Sequence, residues 1–157
     1  MIPHSTILSE DRVYRHILWR TVPPDKTYAC FILLNPSDAD ETLNDPTVRR
    51  CVGFTQFWGY DSTCIVNLHD FRTPDPQTLR TTPLLTSSSK NDEWIRKAAE
   101  GASVVIAGWG KHGDFQGRGA AVKILLQDFS LKCLGKNRDG SPKHPLYLRK
   151  DAPLLDF

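Results

Sequence analysis

The sequence has no long apolar run: nothing in its 157 residues approaches the roughly 20 consecutive apolar residues that a membrane-spanning helix needs. It has no CxxC pair. Cys30, Cys51, Cys64 and Cys133 are scattered, which favours buried thiols over an extracellular disulfide framework, and either of these over a metal or iron–sulfur site. His4, His16, His69, His112 and His144 show no metal-ligand spacing, so neither a metal nor a cofactor is expected. The amino terminus, carrying Pro3, His4, Glu10 and Asp11, lacks the basic-then-apolar layout of a secretion signal, and the expectation is a cytoplasmic protein without membrane contact. There is no low-complexity tract, and the glycine-rich stretch Gly113 to Gly119 fits no phosphate-loop pattern. A formal net charge of only +2 says nothing about partners by itself.

What is present is an ordinary globular composition, 39% hydrophobic and 24% charged, at a length that suits one domain over 1–157. The charge is uneven. Between Lys132 and Lys150 there are six Lys and Arg residues against Asp139 alone, which fits contact with phosphates as well as it fits a solvated basic surface.

Phe31, Ile32, Leu33 and Leu34 stop abruptly at Asn35-Pro36-Ser37, which predicts a buried strand delivering a polar loop at its carboxyl end. Open α/β sheets place their chemistry there. Pro36 stiffens the turn that holds Asn35. Asp45-Pro46 reads as N-cap and first residue of a helix closed by Gly59, with Val48, Cys51, Val52, Thr55 and Trp58 at helical spacing. Upstream, Val13 to Trp19 reads as a strand and Val22 to Lys26 as a turn, together an antiparallel edge hairpin leading into the core. Downstream, Thr63 to Leu68 is a second buried strand ending near Asn67, and His69 to Lys90 a long irregular connection. Asn91 reads as the cap of a helix from Asp92 to Glu100, Ser103 to Ala107 as a third strand before Trp109, Arg118 to Asp128 as a helix and Lys132 to Leu134 as a fourth strand. The expected fold is α/β: a three-layer α/β/α sandwich with a central, mostly parallel four-stranded sheet. Asn35, Asn67, Trp109 with His112, and His144 then share one sheet edge.

These strand ends, in this order, resemble the uracil-DNA glycosylase superfamily. Leu33-Leu34-Asn35-Pro36-Ser37 is similar to its first motif in the GINPG form, Val66-Asn67-Leu68 to its strand with a base-reading Asn, and His144-Pro145-Leu146-Tyr147-Leu148 to its HPSPL motif. The whole chain also resembles a compact bacterial and phage family of unknown function, with hallmarks LNPSxAD, DPTxRRC, WGxHG and HPLYL. The superfamily likeness implies a DNA glycosylase-like hydrolase that flips out a modified or damaged nucleobase, in repair or modified-base processing, and cleaves its N-glycosidic bond. It assigns Asn35 to the attacking water, Asn67 to the base edge, His144 to the leaving base and Leu148 to the wedge. Pro36, Ser37 and Trp109 join the base pocket, and Arg49, Arg50, His112 and Lys143 the nucleic-acid contacts. Leu33 and Ser37 replace glycines of the motif, and Leu146-Tyr147 replaces its Ser-Pro. The cysteine spacing excludes the iron–sulfur branch.

Each residue also has a plainer role open to it. Asn35 before a proline can simply bond local backbone, Asn67 can satisfy a loop, Trp109 and at least one of Leu146, Tyr147 and Leu148 can be core, and His144 can be a surface residue. Asp38, Asp40 and Asp45 lie close enough in sequence to Asn35 to supply the general base that an amide cannot be, or to bind Mg²⁺; Asp45 is read instead as a cap, and Asp38 and Asp40 stay open between that chemistry and being solvated or paired with Arg49 and Arg50. DNA or a nucleotide is the expected partner. The alternatives to a DNA glycosylase are a non-catalytic nucleic-acid or nucleotide binding module and a hydrolase of free nucleosides or nucleotides.

Overall fold

The apolar runs become strands because each is flanked by turn-formers and carries side chains that two packed faces can bury. The computed structural model describes residues 5–20 and 27–157. The turn expected over Val22 to Lys26 lies outside them, as does His4. Within them are β1 (Ile7–Leu8), β2 (Arg15–Arg20), β3 (Tyr28–Leu33), α1 (Pro46–Phe57), β4 (Ser62–Asn67), α2 (Pro76–Thr81), α3 (Asn91–Glu100), β5 (Val104–Ala107), α4 (Arg118–Leu125), β6 (Leu131–Cys133) and β7 (Leu155–Asp156). The stretch Lys111–Gly117, 3₁₀ turns interrupted by non-helical backbone at Phe115 and Gln116, and the 3₁₀ turn Pro145–Tyr147 complete the described elements.

The fold is α/β, with a seven-stranded mixed sheet in the order β1-β2-β4-β3-β5-β6-β7. The four expected core strands pair in parallel, β4 with β3, β3 with β5 and β5 with β6. Three further strands, antiparallel to their neighbours, extend the edges. The expected hairpin differs in its partners: β2 pairs with β4 and with β1, not with the β3 that follows it in sequence. β3 is buried along its whole length and paired on both edges, by β4 and β5.

Period-2 alternation along β3 divides the core. Tyr28, Cys30, Ile32 and Leu34 pack with Ile95, Ala98, Val122 and Leu126 from α3 and the α4 region, whereas Ala29, Phe31 and Leu33 pack with Val48, Cys51 and Phe54 of α1. Trp58 stacks on both Phe31 and Phe54, with ring centroids at 5.8 and 5.5 Å. The four cysteines are buried free thiols, and burial pushes Cys51 and Cys64 above the usual thiol range.

Helix starts show which signals were local. Asp45 caps α1 as expected, its Oδ1 accepting from the Val48 N–H at 2.9 Å with Pro46 behind it. Asn91 does not cap α3. It is the first helical residue, fully buried, and its Nδ2 donates to Asn67 O at 2.9 Å, Leu68 O at 3.0 Å and Ser87 Oγ at 3.2 Å. The long connection after β4 is not wholly irregular, since Asp75 caps the short α2 within it. Fully buried Asp70 anchors the same segment by accepting from Ser88 N at 2.7 Å, Ser88 Oγ at 2.5 Å and His16 Nδ1 at 2.8 Å. No helix of the described residues is long and apolar enough to cross a membrane.

Two stability predictions follow from this burial. Asn91→Ala removes the side-chain donor of the buried Asn67 carbonyl, whereas Leu68 O keeps the Arg118 Nε donor at 2.8 Å; urea unfolding is expected to show a loss of about 2 kcal/mol. A loss within experimental error would mean that the interaction contributes nothing net. Burial also pushes the imidazole of His69 from 6.5 down to about 4. Between those values the unfolded chain binds a proton that the folded chain refuses. Stability is therefore full above about pH 6.5 and falls as pH drops toward 4, by on the order of 3 kcal/mol. His69→Gln is expected to flatten that limb in pH-dependent unfolding, and an unchanged limb would assign it to other groups.

Candidate functional site

Parallel strands put their carboxyl ends on one edge, and the backbone there continues to pair beyond the strands. Leu68 N–H donates to Leu33 O at 2.8 Å, His69 N–H to Leu34 O at 3.0 Å and Gly108 N–H to Ile32 O at 2.9 Å. Above this edge opens a cavity of about 680 Å³, lined by Leu34, Asn35, Ser37 and Asp38 after β3 and by Asp45, Pro46 and Thr47 at the start of α1. Thr73, Pro74 and Pro76 close one side, Trp109 to His112 another, and Asn137, His144, Leu146 and Tyr147 a third.

Asn35 stands on the turn fixed by Pro36. Its Nδ2 donates to Pro36 O and Thr73 O, both at 3.0 Å. Two carbonyl acceptors settle which end of the amide is nitrogen, since only an N–H can satisfy them. The Oδ1 is therefore the end left for the cavity, and no described donor reaches it. The two bonds to local backbone fix the orientation of the amide.

His144 is the mirror case. Its Nδ1 accepts from the Leu146 backbone N–H at 3.2 Å, so the proton of the neutral ring sits on Nε2. Burial lowers the pKa of His144, opposed by the nearby Asp45 carboxylate, and the ring is neutral at pH 7. A neutral ring in that tautomer offers the cavity one N–H donor.

Asp45 is the residue that sequence reasoning undervalued. One oxygen caps α1, yet the residue also lines the cavity beside His144. The Asp-Pro signature declared only the cap; the cavity role depends on where the His144 loop lands. Asp38 also lines the cavity and is exposed. Asp40 does not line it: its Oδ1 accepts from Thr42 N and Leu43 N at 2.9 and 2.8 Å, and Arg12, not Arg49 or Arg50, is its ionic neighbour at 3.7 Å. Behind the loop lies Arg15, fully buried, donating to Ala39 O at 3.1 Å; burial pulls its guanidinium down to about 10, still protonated at neutral pH, and Asp45 opposes the fall.

The other expected site residues divide. Ser37, Trp109 and His112 line the cavity. Pro36 is buried beneath it and contributes its carbonyl to Asn35. Asn67 is 1% exposed and is not part of the lining; its Oδ1 meets Arg15 Nη2 at the outer limit of 3.5 Å. Arg49 is exposed and reaches back to Asn44 O at 3.2 Å, and Arg50 Nε donates to Leu146 O at 3.4 Å. Lys143 lies against Gly135. Leu148 is half-buried against the α1-side core, while Tyr147 beside it is 92% exposed at the cavity rim. Thr73 and Asn137 are lining residues without a sequence signal, and Lys111 lines the cavity beside His112. Among the described residues no cluster of three or more His, Cys, Asp or Glu is placed to hold a metal ion.

Trp109 is chiefly a wall. It is buried, meets Phe157 edge-on at 5.5 Å and lies tight against two glycines. A Cβ at Gly113 would stand 2.0 Å from Trp109 Cδ1, so the spacing of Trp109 and Gly113 records a close approach of ring to backbone. Gly113→Ala must displace the indole. The expected result is a loss of about 1–3 kcal/mol and an altered near-ultraviolet circular dichroism spectrum; an unchanged spectrum would show that the ring is not held by this contact.

No curated protein and no solved structure matches the chain. A family model does match, over residues 15–146, and its bounds enclose β2 through the His144 turn and so all of the cavity lining except Tyr147. The chain belongs to the family described as protein of unknown function, DUF1643.

Proposed function

We propose that the protein hydrolyses the N-glycosidic bond of a modified or damaged nucleobase in DNA. The observation that carries this reading is that one cavity is lined both by Asn35, whose amide nitrogen is locked on backbone carbonyls and whose Oδ1 is left as an acceptor, and by His144, whose neutral ring keeps its proton on Nε2. In the reaction water attacks the anomeric carbon, the carbon–nitrogen bond breaks and its electron pair leaves with the base. Asn35 accepts a hydrogen bond from that water and orients it. An amide cannot take the proton, so it passes to a carboxylate of the same cavity, Asp45 or Asp38. His144 donates to the base as negative charge develops there, and a donor already in place needs no reorganisation during the step. We further infer that the parallel run of β4, β3, β5 and β6, with α1 packed on one face and α3 and α4 on the other, is a three-layer sandwich of the uracil-DNA glycosylase-like kind. The similarity of the Asn35 and His144 motifs supports both inferences.

A second reading, action on a free nucleotide, is favoured by the cavity's volume of about 680 Å³, which exceeds what one base fills.

The test is mass spectrometry of bases released from DNA carrying many modified and damaged bases. Release by the wild type is expected to fall by roughly 10²–10³-fold in Asn35→Ala. That variant also orphans Thr73 O, at a cost of about 1–2 kcal/mol, so the assay belongs well below its unfolding midpoint. Release from a nucleoside monophosphate but from no DNA would select the second reading, and release from neither would end both.

A further inference from the structure

A large aromatic side chain left in water on a rigid support asks what covers it. Tyr147 is 92% exposed, and the 3₁₀ turn that carries it is fastened on three sides. Leu146 N–H is held by His144, Leu148 N–H donates to Pro145 O at 3.2 Å, and Arg50 Nε grips Leu146 O. Tyr147 thus combines an exposed ring with a backbone already held in place. It is also shared: it lines the cavity on one side and, on the other, a shallow depression of about 620 Å³. That depression is lined by Arg50, Phe57, Arg149, Lys150 and Asp151 as well. Phe57, 56% exposed, stands two helical turns from Arg50 on α1, so aromatic and cation share one helix face. Asp151 is spent on Arg149, both of its oxygens at 3.1 Å, which leaves Arg50 and Lys150 without a carboxylate partner among the described residues.

We propose that this surface is a single-strand nucleic-acid track running out of the cavity mouth, with bases stacked on Tyr147 and Phe57 and phosphates on Arg50 and Lys150. Exposed ring faces together with unpaired cations are what binds an unpaired strand, because every base has a stacking face and every linkage a negative charge. The track deepens the glycosidase reading and rests on it only for the identity of the nucleotide that enters the cavity.

The experiment is fluorescence anisotropy of a labelled oligodeoxythymidine and of a labelled duplex, across a salt series, with no base release measured. The single strand is expected to bind more tightly than the duplex. Tyr147→Ala is expected to weaken single-strand binding about 5- to 100-fold. Phe57→Ala should act in the same direction, and Lys150→Gln should lower the logarithmic salt slope by about 0.7. Leu85→Ala, which removes an exposed apolar side chain outside both depressions, should change nothing. Tighter duplex binding, indifference to Tyr147→Ala, or an equal loss in Leu85→Ala would each overturn the track. Binding that depends on Tyr147, in a protein that releases no base from any DNA, would keep the track and remove the glycosidase.

Discussion

The carbonyl groups beyond the parallel strands impose the constraint on which this structure turns. Where the strands end, carbonyls remain in the interior, away from water, and each needs a donor. The molecule meets that need with side chains. Asn35 Nδ2 serves Pro36 and Thr73, Asn91 Nδ2 serves Asn67 and Leu68, Arg118 Nε returns to Leu68, and Arg15 serves Ala39. Polar residues therefore gather at this edge before any question of function arises. The cavity exists because loops held by those side chains cannot collapse onto the strand ends.

Electrostatics follow from the same geometry. Arg15 carries a buried positive charge whose strongest opposing influence is Asp45, a carboxylate that also faces His144. The site thus holds a cation behind it, anions along one wall and a neutral imidazole between them. Such an arrangement suits the departure of an anion near the ring better than a proton transfer to it, since burial disfavours a charged His144.

Much of this was legible in the residues, and the divisions are physical. The four parallel strands were visible as apolar runs, and the α1 start as an Asp-Pro pair, because both signals are local. Asn91 reads as a cap in the sequence but is none in the fold, because its acceptors lie 24 and 23 residues away, at the end of another strand. Asn67 and Asn35 look alike in sequence, each closing a buried run, yet one faces the interior and the other the cavity; the face is decided by which crossover covers it. Likewise β2 reads as a hairpin partner of β3, but β3 is already paired on both edges by β4 and β5, and β2 must take the far side of β4. In the last motif, the choice between Leu148 and Tyr147 as the outward residue depends on a 3₁₀ turn too short to leave a periodicity.

The double duty of Asp45 carries a consequence for how this protein can change. One carboxylate both secures the first turn of α1 and furnishes part of the cavity wall. A lineage that altered its ligand preference by replacing this residue would lose helix stability in the same step, and would first have to acquire a surplus elsewhere. Asp38, on the same wall without a structural duty of its side chain, is the freer position, and diversification of the cavity should run through it.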